Sequence, residues 1–286
     1  MNFSYFKNKK ILITGHTGFK GSWLCFWLNK LGAKVYGFSD REYSKPSAFD
    51  SMQIKSYLHR DIRGDIFDYD KIQHAINLIK PNIIFHLAAQ ALVGESIKDP
   101  LRTFKTNSIG TLNIAYSLAK FSKPIDLICI TSDKVYQNFE WIWGYRENDK
   151  LGGKDPYSAS KSMAEIGLEA LYQTHLKKKP NLKIVIARAG NVIGGGDWSE
   201  GRIIPDAIKS WQKLSSVKIR SPYSTRPWQH VLEPLGGYLV LAYWLSKQKK
   251  LNNIESFNFG PRHDQNLSVI DLVRNLSSNW KGSKIN

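Results

Sequence analysis

Ile11-Leu12-Ile13-Thr14-Gly15-His16-Thr17-Gly18-Phe19-Lys20-Gly21 decides the fold: a short apolar run, three glycines spaced three apart, then apolar residues at helical spacing over 22–31. The run reads as a buried strand and the periodic stretch as a packed helix. Strand, glycine turn and helix in that order point the unpaired N–H groups of a helix N-terminus at an anion. Gly15 permits the tight turn, Gly18 lets the backbone approach a pyrophosphate, and Gly21 lets helix and strand pack closely. The spacing G-x-x-G-x-x-G differs from G-x-G-x-x-G. The dinucleotide reading therefore rests on the strand-to-helix context and on a second strand at 34–38.

Working outward, an acid at the end of that second strand would take the ribose hydroxyls of NAD. Ser39 stands there and Asp40 follows. Either Asp40 serves from one position later, or the loop leaves the ribose to Lys20 or Arg41. Residues 41–56 show no period and read as a surface loop. A short strand over 57–62 ends near Gly64-Asp65-Ile66, where Asp65 can accept hydrogen bonds from an adenine amino group. A helix over 69–80 stops at Pro81, and a buried strand over 82–87 runs into Ala88-Ala89-Gln90, small enough to let a cofactor lie against the backbone. His86, inside that apolar strand, reads as a satisfied core residue rather than a base. A helix follows over 100–121, with Asn107-Ser108-Ile109-Gly110-Thr111 suited to orienting a neighbouring loop or to ordinary packing. Strands at 127–130 and 183–187 complete six β units alternating with helices. The expected fold is α/β, a doubly wound parallel sheet of Rossmann type in the order 3-2-1-4-5-6.

Composition is that of a soluble globular chain, with 42% hydrophobic and 23% charged residues. The net charge of +17 fits nucleic acid, an acidic membrane surface or an anionic small substrate. Lysines cluster only at Lys7–Lys10, Lys177–Lys179 and Lys247–Lys250, without interleaved aromatics, so they read as solvated faces and no nucleic-acid partner is expected. Cys25 and Cys129 sit in separate apolar segments without metal-ligand or redox spacing, as small core residues in a reducing compartment. No metal is expected. The N-terminus lacks a signal-peptide core and the most apolar helix, over 235–245, is too short for a membrane span, so the expected location is the cytoplasm.

The segment from Ile130 to Lys161 concentrates chemistry. Thr131-Ser132-Asp133-Lys134 follows a buried strand, at the carboxyl end where open α/β sheets bind ligands. Tyr157 and Lys161, four residues apart, share one helix face and can act as a unit. Tyrosine and lysine also meet at this spacing by chance, and strand-end charges are often solvated. Further on, Arg188–Trp198 is too glycine-rich for regular structure and reads as a loop shaped around a ligand. Beyond it Arg202, Arg220, Arg226 and Arg262, with Trp198, Tyr223 and Trp228 interspersed, suit a nucleoside diphosphate. The division expected is a dinucleotide-binding domain over 1–187, carrying the Tyr/Lys helix, and a substrate-binding lobe over 188–286.

Six motifs together resemble the extended short-chain dehydrogenase/reductases acting on nucleotide sugars, most closely the CDP-glucose 4,6-dehydratases. They are 14–23, 131–134, Trp143-Gly144-Tyr145-Arg146-Glu147, Asp155-Pro156-Tyr157-Ser158 with Ser160-Lys161, 188–198, and Arg226-Pro227-Trp228-Gln229-His230-Val231. The resemblance runs from about Lys10 to Trp280. It implies NAD held by Gly15, His16, Gly18, Phe19, Lys20, Asp40, Asp65, Ile66, Ala88, Ala89, Gln90, Tyr157 and Lys161. It implies CDP-glucose as substrate, contacted by Asn191, Arg202, Arg220, Tyr223, Arg226 and Arg262. It also implies a homodimer built on helices 100–121 and 157–175, a lyase, and a place in deoxysugar supply for lipopolysaccharide O-antigen. Tyr157 would take the O4 proton as hydride leaves C4, Lys161 would lower the phenol pKa and hold the nicotinamide ribose, and Ser132 would hydrogen-bond O4. By similarity to dehydratases with Asp-Glu at this place, Asp133 would protonate the departing O6 hydroxyl and Lys134 would take the C5 proton. A free lysine is protonated at pH 7, so the location of the pair is better founded than its roles. The sequence departs from the pattern at Gly94, where an arginine is more frequent, and at Ile97, where a tyrosine is. Resembling proteins continue well past Asn286, so the lobe is expected to be incomplete.

Overall fold

The computed structural model describes residues 2–262 and 266–285. Seven parallel strands form the central sheet: β1 Lys10–Thr14, β2 Lys34–Ser39, β3 Arg60–Arg63, β4 Ile83–His86, β5 Ile125–Ile130, β6 Leu182–Ala189 and β7 Glu255–Phe259. Their order across the sheet is β7-β6-β5-β4-β1-β2-β3. The central strands are continuous apolar runs because helices cover both faces. Alternation along β1 sends Ile11 and Ile13 into one layer with α1 (Phe19–Lys30), and Leu12 into the other with α2 (Tyr69–Ile79). Cys25 and Cys129 are free, buried, and divided between these two layers.

The six expected strands keep the order 3-2-1-4-5-6, and β7 extends the sheet beyond β6. The division expected at residue 187 is thus crossed: β7 pairs with β6, and the helix Leu232–Lys247 buries Leu235, Leu239 and Ala242 in the α1 layer. The loop expected over 41–56 contains a short helix, Ala48–Ser51, capped by Ser47, whose Phe49 is buried against the sheet layer. The long helix is expected over 100–121. It begins as α3 (Pro100–Phe104), capped by Asp99 with proline in its first turn. It widens into a π-helical turn at Lys105–Ile109 and resumes as α4 (Gly110–Ser117). That turn aims Asn107 sideways: Oδ1 accepts from Gln90 N at 2.8 Å, and Nδ2 donates to Gln90 O at 3.0 Å and Ser160 Oγ at 2.9 Å. Asn107 so pins the loop after β4 to α5 (Pro156–Leu171), which Asp155 caps and Pro156 starts.

The remaining chain makes a small lobe around Ala207, Trp211, Val217 and Val273, on α6 (Ile203–Gln212) and on the later helix Val269–Ser277. The helix Leu232–Lys247 is α7 and the helix Val269–Ser277 is α8. Among the described residues no helix is long and apolar enough to cross a membrane, and no group of three His, Cys, Asp or Glu is placed to hold a metal ion.

Candidate active site

The glycine turn is built as tightly as its sequence requires. Gly15 has φ of +73°, and a Cβ there would stand 2.7 Å from Ala88 Cα. A Cβ on Gly21 would stand 2.1 Å from the Gly15 carbonyl oxygen, so neither position accepts a side chain. Gly18 caps α1 without a side-chain bond and is exposed, which leaves the helix N-terminus open to an anion. In front of it a cleft is lined by Gly15, Gly18, Asp40, Asp65, Ile66, Ala88 and Ala89 together with Thr17, Tyr43 and Thr106. Asp40 accepts a hydrogen bond from Tyr43 Oη and lies 3.7 Å from Arg102. Burial, helped by Asp40, pushes the Tyr43 phenol up to about 12, so it stays a neutral donor. These residues fit a dinucleotide: a backbone cradle for its diphosphate and two carboxylates for ribose and adenine.

The side chains of His16, Phe19, Lys20 and Gln90, also expected at the cofactor, are not in the lining of this cleft. His16 is buried beneath the loop, its Nε2 2.9 Å from Asp61 Oδ1 and its ring edge-on to Phe49. Phe19 faces the glycine-rich loop, within 3.1 Å of where a Gly194 Cβ would stand. Lys20 does not turn to Asp40: its Nζ donates to Tyr238 Oη at 2.8 Å, on α7. Gln90 is held through Asn107 and Thr103.

At the end of β5 the Tyr/Lys pair is sealed, with Tyr157 8% and Lys161 5% exposed. Lys161 Nζ reaches back to the Ile130 carbonyl at 3.4 Å, which fixes its direction along α5. Burial raises the Tyr157 phenol above its ordinary value, while a hydrogen bond to Ser132 and the Arg202 charge oppose that rise. Lys161 is expected to lower the phenol; here Ser132 and Arg202 do so. Burial lowers the Lys161 amine to about 8. Ser132 Oγ donates to Asp133 Oδ1 at 2.9 Å, and Lys134 Nζ lies 3.8 Å from the same oxygen. This second pair is open to solvent, with side chains 35% and 36% exposed.

A buried network carries the segment. Arg188 donates to Glu165 through Nε at 3.1 Å and Nη2 at 2.5 Å, Thr131 donates to Glu165 at 2.6 Å, and Arg188 Nη1 reaches Tyr136 Oη and the Glu147 carbonyl. The arginines of the lobe divide. Arg202 pairs with Asp197 at 2.7 Å and faces Tyr157 and Lys20, whereas Arg220, Tyr223, Arg226 and Arg262 are exposed at the rim. Asn191 Oδ1 is buried with no hydrogen-bond partner among the described residues, an acceptor waiting for a donor. Gly94 and Ile97, where the sequence departs from its expected pattern, are both exposed.

A model of the NAD dependent epimerase/dehydratase family matches residues 11–254. The chain belongs to that family. Its cofactor is NAD, and the chain is an enzyme. CDP-glucose 4,6-dehydratase of Salmonella typhimurium is 42% identical over 281 residues, covering 97% of this chain and 78% of that protein. The structure of dTDP-glucose 4,6-dehydratase from Bacillus anthracis, in complex with NAD, matches with a TM-score of 0.79 at 20% identity, over 97% of this chain and 84% of that one. UDP-glucose 4-epimerase from Thermotoga maritima matches with a TM-score of 0.78 at 23% identity, over 97% and 85%. Both structures share the fold.

Within this family fold, sequence reading misses Thr17, Tyr43, Thr106 and Tyr238. Tyr43 lies in a segment without periodicity, and Tyr238 sits in an apolar helix where an aromatic reads as core. Only the pairing of Tyr238 with a lysine 218 positions away distinguishes it, and no local pattern shows that.

Proposed function

We propose that this chain is an NAD-dependent hydro-lyase that converts CDP-glucose to CDP-4-keto-6-deoxyglucose. The observation that carries the reading is the adjacency, at one sheet end, of a sealed Tyr157/Lys161 pair and an Asp133/Lys134 pair linked to it through Ser132. A 4-epimerase needs the first pair and has no use for the second. The similarity to the Salmonella typhimurium dehydratase supports the same choice and suggests the cytidine nucleotide.

When bound, NAD supplies a hydride acceptor for C4 and returns the hydride at C6. Tyr157, as phenolate, takes the O4 proton, with Ser132 hydrogen-bonding the same oxygen. Lys161 holds the nicotinamide ribose, and the Arg202 charge faces the phenolate. The C4 ketone makes the C5 proton acidic. Lys134, unprotonated for this step, takes that proton; the C5–H electron pair becomes the C5=C6 bond as the C6–O6 bond breaks, and Asp133 protonates the leaving hydroxyl to water. Return of the proton to C5 accompanies the hydride at C6, so there is no net redox change. Asn191 and Arg202 hold the nucleoside diphosphate within the pocket, and Arg220, Tyr223, Arg226 and Arg262 reach it from the rim.

The second copy expected for a homodimer has a face to meet: Leu101, Ile109, Met163 and Ile166 are exposed apolar side chains on the α3–α4 segment and α5. The test of function is the product mass after incubation with NAD and CDP-glucose, alongside UDP-glucose and dTDP-glucose. Loss of one water, fastest with CDP-glucose and without NADH build-up, is expected. Unchanged mass with inverted C4 contradicts the dehydratase, and preference for another base contradicts the cytidine assignment.

A further inference from the structure

The seven strands of the sheet are parallel, so their first residues share one end, opposite the cleft, and the helices return there before the next strand begins. Lys10, Lys34 and Arg60 open β1, β2 and β3 at that end. Lys30 closes α1, and Lys80 follows α2. The lysine clusters at 7–10, 177–179 and 247–250, expected as separate solvated faces, meet there too. Lys9 Nζ lies 4.5 Å over the Tyr5 ring, Tyr5 packs edge-on to Tyr243 at 5.6 Å, and Lys247 Nζ lies 5.2 Å over Tyr243. Tyr172, whose carbonyl accepts from Lys177 N, donates through Oη at 3.1 Å to the Leu251 carbonyl, next to Lys250.

The acids near that end are Asp126, Glu169 and Glu255. Lys183 holds Asp126 at 3.1 Å, and Gln173 Nε2 donates to Glu169 at 2.6 Å. Lys7, Lys34, Lys80, Lys178 and Lys250 are exposed, and none of them pairs with a carboxylate among the described residues. A helix C-terminus attracts a cation in its last turn, which accounts for Lys30 and Lys247 but not for lysines beyond the ends of α5 and α7 or at the starts of strands. Like charges so crowded repel one another, and an anionic partner relieves that repulsion.

We propose that this end of the sheet is a docking surface for an anionic lipid bilayer, on which the chain sits with its cleft turned toward solvent. Apart from Arg60 the cations are lysines, point charges that suit a diffuse layer of head groups better than the bidentate grip of arginine on nucleic-acid phosphates. The Tyr5 and Tyr243 rings are covered by ammonium groups and offer no face to a base. Phe3, 48% exposed on the turn Phe3–Phe6 beside Tyr5, adds an apolar side chain that the boundary between head groups and acyl chains takes up.

The test is co-sedimentation of the chain with vesicles of phosphatidylcholine alone and of phosphatidylcholine with about one-third phosphatidylglycerol. Binding to the anionic vesicles only is expected, falling roughly tenfold or more as salt rises from about 0.1 M to about 0.5 M. Lys177→Glu with Lys178→Glu should weaken it roughly a hundredfold. Lys213→Glu with Lys218→Glu, an equal change of charge at exposed positions of the small lobe, should leave it within about threefold of the unaltered chain. Phe3→Ser should weaken it several-fold. NAD affinity and melting temperature report that each variant keeps its fold, and Lys249→Glu with Lys250→Glu serves if the first pair does not fold. Absence of binding to the anionic vesicles at low salt would overturn the proposal, as would equal losses in the end-face and lobe pairs. Capture of duplex RNA or of polyglutamate more tightly than vesicles, unaffected by Phe3→Ser, would give the face to that partner and overturn it as well.

Discussion

Tyr157/Lys161 and Asp133/Lys134 stand side by side at the end of β5 yet differ in their exposure to water. The first pair is 8% and 5% exposed, and the side chains of the second are 35% and 36% exposed. Burial moves the first pair: Tyr157 up, Lys161 down to about 8. The second pair keeps water until a ligand covers it. The difference separates a preorganised oxidation half from an elimination half that bound sugar has to dry out, where electrostatic interactions strengthen as water leaves.

Four substitutions test this contrast. Tyr157→Phe removes the O4 base, and turnover should fall up to about 10⁴-fold with no absorbance of reduced cofactor in a single turnover. Glu165→Leu strands Arg188, which is 4% exposed, and should cost about 3–5 kcal/mol in urea unfolding. Lys134→Ala should slow dehydration roughly 10²-fold yet leave hydride exchange at C4 measurable; wild-type dehydration would remove the lysine from the elimination half. His86, behind the sealed half, is bonded by Thr14 at 2.7 Å and Thr111 at 2.9 Å, and burial lowers it to about 3. Its folded value lies below its unfolded one, so its contribution is full above pH ~6.5 and is lost as pH falls toward 3, at about 1.4 kcal/mol per unit. His86→Gln should flatten the fall in urea midpoint between pH 6 and pH 4.

Much of this was legible because it is local. The glycines at 15 and 21, the i,i+4 pair at 157 and 161, and His86 as a bonded core residue follow from periodicity and turn chemistry. What was not legible is non-local. β7 begins with Glu255 and alternates polar with aromatic residues, so only its place beside β6 makes it part of the sheet. Lys20 reads like its neighbours in the dinucleotide loop, and its direction is set by Tyr238 on a distant helix. The lobe arginines look alike in sequence, but Arg202 turns inward to Asp197 while Arg226 bonds its neighbouring Thr225 carbonyl at the surface.

The central claim, that the two halves act in sequence on one sugar, is tested most directly with CDP-glucose deuterated at C4. The account predicts a product one water lighter, with the deuterium at C6 and no reduced cofactor accumulating. Deuterium retained at C4, with the mass unchanged, would contradict it.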